Sequence, residues 1–177
     1  MPVGDASQLG RECNVCSTVG STPFAAAYRG SVARRKRSLL PDGTYHLGTR
    51  GVDGCTVYVD DDDRRAFLSL LAWVVDDYHW HVHSLCLMKN HYHLVVETEQ
   101  WLLSLGMQRL NGRYAERFNR RFKRTGHLWG DRFWTRYVED EEHLVGVCDY
   151  VVNNPVRAGL VPHARDWPWS ASRYGLG

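Results

Sequence analysis

The chain has no long apolar run. Its longest, AFLSLLAWVV at 66–75, falls well short of the roughly 20 residues a membrane-spanning helix needs, and no signal-peptide pattern opens the sequence. Neither does it have a usable cysteine framework. Cys13, Cys16, Cys55, Cys86 and Cys148 are odd in number and scattered, and the lone Cys13-x-x-Cys16 is followed by no second pair at zinc-finger spacing. Cys86 and Cys148 sit inside apolar segments and are expected to be buried hydrophobes. A reducing, cytoplasmic compartment follows as the expectation. Net charge is small too: +2 over 177 residues gives no bulk argument for a polyanion partner, so the distribution of charge has to decide.

The first stretch also lacks periodicity. Residues 1–37, rich in small residues and ending in RRKR at 34–37, show neither a 2.0 nor a 3.6 repeat and read as a disordered or non-native extension. A natural start near Val32 would fit. Residues 38–177 are then the folded domain.

Within that domain hydrophobic and aromatic residues are plentiful; the whole chain is 44% hydrophobic, with seven Trp and nine Tyr. TYHLGTR (44–50) alternates like a strand and runs into the turn GVDG. DDDDRRAFLSLLAWVVDDY follows, with Phe67, Leu70, Leu71, Val74 and Val75 at helical spacing and aspartates suited to cap its N-terminus. WHVHSLCLM (80–88) and HYHLVVET (91–98) form a hairpin about Lys89–Asn90, a poorer tight turn than Asn-Gly. A second helix carries Leu103, Met107, Leu110, Tyr114 and Phe118 on one stripe. RFWTRYVED (132–140) reads as a fourth strand, and DEEHLVGVCDYVVNN as a third helix stopped by Pro155. The tail PHARDWPWSASRYG is expected to pack irregularly. Strand, helix, strand, strand, helix, strand is the order of an α+β, ferredoxin-like βαββαβ antiparallel sheet, here with an added C-terminal helix.

Residues two apart on a strand share a face. His91 and His93 therefore point together, with Tyr92 opposite, and two neutral imidazoles make half of a divalent-metal site. Three His-x-His triplets occur, at 79–81, 81–83 and 91–93, so the triplet alone is weak. The apolar Leu94-Val95-Val96 that follows favours the last one, as the polar mouth of a central strand. Tyr150 and Asn154, four apart on the third helix, are the groups that could reach it.

CLMKNHYHLVVET, GHLWGDRF and DYVVNNPVRAGLV together resemble the single-tyrosine HUH transposases, IS200-like enzymes, and among them the REP-associated tyrosine transposases. The resemblance runs from about Ala33 to Tyr174. It implies the same ferredoxin-like fold, a nucleophilic Tyr150, and a Mg²⁺ or Mn²⁺ ion held by His91, His93 and Asn154. Asn154 stands where the transposases proper have Gln, one methylene longer. The implied activity is metal-dependent nicking and strand transfer on single-stranded or hairpin DNA through a 5′-phosphotyrosine. The implied setting is a bacterial, nucleoid-associated monomer or homodimer with no membrane contact. A catalytically inactive, transposase-derived DNA-binding protein is the alternative.

Charge distribution supports a nucleic-acid partner. Between Gln108 and Tyr137 stand Arg109, Arg113, Arg117, Arg120, Arg121, Lys123, Arg124, Arg132 and Arg136, against only Glu116 and Asp131. These nine are the expected DNA-binding residues, with Trp129, Phe133 and Trp134 near enough to stack on bases.

Overall fold

The computed structural model describes residues 41–175. The expectations for residues 1–37, including Cys13, Cys16, the RRKR cluster and a start near Val32, lie outside the described residues. The elements are β1 (Gly43–Arg50), α1 (Asp61–Asp77), β2 (His81–Leu87), β3 (His91–Thr98), α2 (Gln100–Arg121), β4 (Trp134–Tyr137), α3 (Glu141–Val152), the short α4 (Asn154–Arg157) and β5 (Ser170–Ser172). The strands form one antiparallel sheet in the order β4-β1-β3-β2-β5. The first four give the ferredoxin-like order expected from the sequence.

Each face of the sheet has its own core. Tyr45, Leu47, Tyr92, Leu94 and Val96 face α1 and α2, where Phe67, Tyr58, Tyr114 and Tyr92 form a nest of rings with centroids 4.7–5.5 Å apart. Such pairs contribute about 0.5–1.5 kcal/mol each beyond the area they bury. Trp80 lies so close to Gly106 of α2 that any Cβ there would overlap its ring. On the other face a smaller core of Cys86, Met88, Val95, Cys148 and Val151 seats α3.

The caps follow from the sequence. Asp60 accepts from the Asp63 N–H (3.1 Å), and Asp63 reaches back to the Val59 N–H (2.9 Å), an arrangement like a capping box that satisfies one orphan donor of the helix and one N–H just ahead of it. Asp63 is fully buried, and its charge is met by Arg121 at 2.5 Å and Arg117 at 3.7 Å. The aspartate run thus caps α1 and ties it to α2.

Three sequence expectations need correction. Pro155 does not end the chain's helical path: α3 closes at Val152, and Pro155 sits in the first turn of α4, where its fixed φ suits a helix start. The tail does not pack irregularly throughout, because Ser170–Ser172 pairs with Ser84–Cys86 of β2 and extends the sheet. The fourth strand is confined to Trp134–Tyr137, though its approach follows β1 through the bridge between Gly51 and Trp129 and the Gly130 N–H bond to the Arg50 carbonyl (3.0 Å).

The β2–β3 turn has no left-handed residue at Lys89 or Asn90, so it lacks the mirror-image geometry that favours Asn-Gly. The 51–58 loop holds it instead. Gly51 N–H donates to the Asn90 carbonyl (2.9 Å), and Val57 and Tyr58 N–H groups donate to the Lys89 carbonyl (3.0 and 3.2 Å).

Candidate active site

Register decides what meets what on the α3 face. Gly48 of β1 pairs with His93, His46 with Val95, Arg50 with His91, and Gly48 again with Trp134 of β4. His46, His91 and His93 therefore share this face, while Tyr92 lies fully buried against Phe67 on the other. The other two triplets are elsewhere: His81 pairs with Glu97 at the opposite end of β3, and His83 contacts the Glu97 carboxylate at 3.3 Å.

His91 and His93 stand edge to face with ring centroids 5.2 Å apart. The Tyr150 ring lies 5.9 Å from that of His93 and 5.9 Å from that of His46, edge-on to both. The last long helix thus delivers its phenol to the histidine cluster. Arg157 of α4 places its guanidinium 4.7 Å from the Tyr150 ring centroid. Trp134 borders the cluster, 4.7 Å from His46 and 5.6 Å from His93. Residue 48 must be glycine for that ring to fit, since a Cβ would fall 2.9 Å from it and collide with the Tyr92 carbonyl oxygen.

Hydrogen bonds fix the imidazoles. His91 Nδ1 is 2.7 Å from Asn90 Oδ1, and His93 Nδ1 is 3.1 Å from His46 Nε2. Nothing in the local sequence marks His46. A single histidine on an alternating strand carries no signal; only the pairing of β1 with β3 gives it a role.

Electrostatics keep all three rings neutral. Burial, reinforced by Arg50, lowers His91 to about 4. Burial pushes His93 well below the usual imidazole range, helped by the neighbouring His91, His46 and Arg50. His46 is lowered to about 3 by burial, then by Arg136 and His143. Neutral rings keep the lone pairs a metal ion requires. Two neutral imidazoles on one face, with the Tyr150 ring beside them, have the chemistry to suit a divalent cation, to which the Asn154 amide oxygen could add a third donor. Among the described residues no group of three or more His, Cys, Asp or Glu could hold a metal, so amide, water or substrate oxygens would have to complete the shell. Imidazole donors suit Mn²⁺ better than Mg²⁺.

Asn154 does structural work as well. Its Nδ2 donates to the Tyr150 carbonyl (2.9 Å) and the Val151 carbonyl (3.3 Å). Pro155 has no N–H to offer Val151, and an orphaned carbonyl costs on the order of 1–3 kcal/mol when buried. The amide nitrogen is committed to the helix end, and the oxygen is what remains for a ligand.

The nine expected DNA-binding residues are divided by the structure. Arg121 is bound to Asp60 (2.6 and 2.8 Å) and Asp63, Arg117 faces Asp63, and Arg113 pairs with Glu116 at 3.5 Å on the surface. Arg109, Arg120, Lys123, Arg132 and Arg136 are exposed, and Arg124 is half-buried with its guanidinium 5.6 Å from the Phe118 ring. Arg136, on β4, belongs to the histidine face through its effect on His46. The aromatics expected to stack on bases are divided too. Phe133 is buried, Trp129 packs on Tyr92 and Tyr114 and donates to the Asn111 carbonyl (3.0 Å), and Trp134 lines the histidines. Phe133 and Trp129 are thereby engaged in packing, whereas Trp134 is only half-buried and stays on the histidine face.

A family model described as "Transposase IS200 like" matches residues 44–154. A putative REP-associated tyrosine transposase of Haemophilus influenzae is 25% identical over 117 residues, which is 59% of this chain and 66% of that protein. The chain thus spans just under two thirds of that relative. Among solved structures, a REP-associated tyrosine transposase bound to a REP hairpin superposes with a TM-score of 0.61 at 18% identity, covering 80% of this chain and 82% of the other. A putative transposase from Deinococcus radiodurans gives 0.46 at 20% identity, covering 68% and 96%.

Proposed function

Because the chain belongs to the IS200-like transposase family, we propose that it nicks and rejoins single-stranded or hairpin DNA, with Tyr150 as nucleophile. The observation that carries this reading is the Tyr150 ring 5.9 Å from the His93 ring on one face of the sheet. The solved relative that shares the fold holds a REP hairpin, and a hairpin of that kind is the substrate class proposed here.

His91, His93 and the Asn154 oxygen would hold Mg²⁺ or Mn²⁺. Bound there, the cation would polarise a phosphodiester and offset the charge that builds on its oxygens. The protein's own groups do the rest. A phenol is a weak nucleophile until it loses its proton, because its ordinary pKa is about 10. Arg157, its guanidinium 4.7 Å from the ring centroid, would offer its positive charge to a phosphate bound there. Attack forms a bond from Tyr150 Oη to phosphorus and breaks the bond from phosphorus to O3′. The phenol proton passes to water, and the departing O3′ is protonated as a hydroxyl. The product is a 5′-phosphotyrosine. Its ester energy is retained, so a 3′-OH can reverse the step and join strands.

Replacing Tyr150 by Phe removes only the hydroxyl. Incubated with Mn²⁺ and labelled hairpin DNA, the wild type is expected to give a covalent adduct on denaturing gels. Tyr150→Phe should give none while binding the DNA within about threefold, since the lost contact is one hydroxyl. Adduct formation by the variant would move the nucleophile elsewhere. A second reading, DNA binding without catalysis, draws on the short reach of Asn154, whose side chain is also tied to the helix end through Nδ2; a wild type that binds hairpins but never forms the adduct would establish it.

A further inference from the structure

Two histidines on one strand face can chelate an ion only if each turns a lone pair toward it. Imidazole has two ring nitrogens, and the neutral ring carries its proton on one of them. Which one is settled by what the other nitrogen meets.

For His91 the hydrogen bonding settles it. Asn90 donates through Nδ2 to the Gly54 carbonyl (3.1 Å), so the atom it turns to His91 Nδ1 at 2.7 Å is the oxygen, Oδ1. A carbonyl oxygen only accepts. His91 Nδ1 must therefore bear the proton, and Nε2 keeps the lone pair. Asn90 cannot easily turn away, because its own carbonyl accepts from Gly51 N–H and the turn is pinned by Val57 and Tyr58. The poor turn-forming Lys-Asn pair acquires a reason: the position is held for its side chain.

His93 is treated in the same way by a different residue. Its Nδ1 meets His46 Nε2 at 3.1 Å within the fold. His46 is in turn bounded by Trp134 at 4.7 Å and Tyr150 at 5.9 Å. If His93 donates, its Nε2 is left with a lone pair, matching His91. The reverse arrangement would put a proton on the nitrogen that has to bind. Histidines that hold metals commonly donate their second N–H to a neighbour that fixes ring and tautomer.

We infer that Asn90 and His46 are positioning residues that lock the Nδ1 sides of His91 and His93 and present both Nε2 atoms together to a divalent cation. This rests on the metal-dependent reading above. Neither residue touches the substrate; each acts through the ring it holds.

The experiment uses the full chain, ¹⁵N-labelled, with Mn²⁺ as the probe. Long-range ¹H–¹⁵N NMR of the metal-free wild type is expected to show both His91 and His93 protonated at Nδ1. A wild-type His93 protonated at Nε2 overturns the inference, whatever the variants do. Mn²⁺ titration followed by EPR is expected to show binding weakened about 10- to 100-fold in His46→Phe and in Asn90→Ala. Asn90→Asp, which keeps the accepting oxygen, should restore affinity to within a few-fold, a rescue that a purely structural role for the turn would not predict. The double variant His91→Ala/His93→Ala separates the two layers. If it abolishes Mn²⁺ binding while His46→Phe and Asn90→Ala bind like wild type, the positioning role fails and the metal site stands. If the double variant binds Mn²⁺ as the wild type does, the metal site fails and the positioning role with it.

Discussion

At the scale of single residues, function hangs on small side chains that make room for large ones. Gly48 lets the Trp134 ring lie beside His46 and His93. Gly48→Ala should cost about 1–3 kcal/mol, the usual penalty for overfilling a packed site, and should displace the tryptophan from the histidines. Thermal unfolding monitored by circular dichroism, with adduct yield measured alongside, checks both; an unchanged melting temperature would mean that strand and ring yield freely. Single residues also show where sequence reading stops. His91, His93 and Tyr150 could be picked out because spacing and motif both marked them, and the fold then brought His93 and Tyr150 to one face. His46 could not, since it is placed beside His93 by pairing between strands 47 residues apart, which no local pattern encodes. Asn90 was visible only as an awkward turn residue. Asn154 was marked for one task and serves a second, because the proline after it leaves a carbonyl in need of a donor.

At the scale of elements, α1 and α2 are joined by charge as well as by rings. Arg121 grips Asp60 and the buried Asp63 across the two helices. Its hydrogen bonds to Asp60, with the Asp63 and Asp62 amides helping, hold that carboxyl down to about 2. The folded value is below the ordinary 3.8, so this contribution is complete above about pH 4 and fades as pH falls toward 2. Thermal unfolding of the wild type should therefore weaken across that window, and Asp60→Asn should flatten the dependence. Arg121→Ala strips the buried Asp63 of its nearest partner and should lower the melting temperature at pH 7 by roughly 5 °C. The stripes of α1 and α2 were legible because burial on one helix face imposes its period on the sequence. The limits of β4 and the pairing of β5 were not, since short edge strands are made by their neighbours more than by their own residues.

At the scale of the whole molecule, the sheet separates two cationic regions. Arg50, Arg136 and Arg157 belong to the histidine face, through their effects on His91, His93 and His46 or contact with Tyr150. The basic helix α2 covers the opposite face. The Tyr92 hydroxyl meets Asn111 at 2.7 Å, so Asn111 is level with the start of β3, and α2 runs on for about 15 Å beyond it. Its basic end therefore projects past the same end of the sheet at which the histidines open. A DNA strand seated on the histidine face can reach that end by rounding the margin of the sheet. Replacing Arg120 and Arg124 together should lower the slope of log affinity against log salt by about 1.5, two phosphate contacts' worth of released counterions, with the fold intact. Arg121→Ala should leave that slope alone, because its charge is already answered inside the protein. An unchanged slope in the double variant would assign the DNA path to the histidine face alone.

The alternation along β3 has one last implication. Its odd-numbered side chains from His91 to Val95 lie on the α3 face, and its even-numbered ones from Tyr92 to Val96 meet the ring nest. A slip of one position against β1 would drive imidazoles into oil and lift tyrosine, leucine and valine into water. Misalignment is thereby its own deterrent: the chain cannot settle in a misthreaded form that keeps its stability but loses its chemistry.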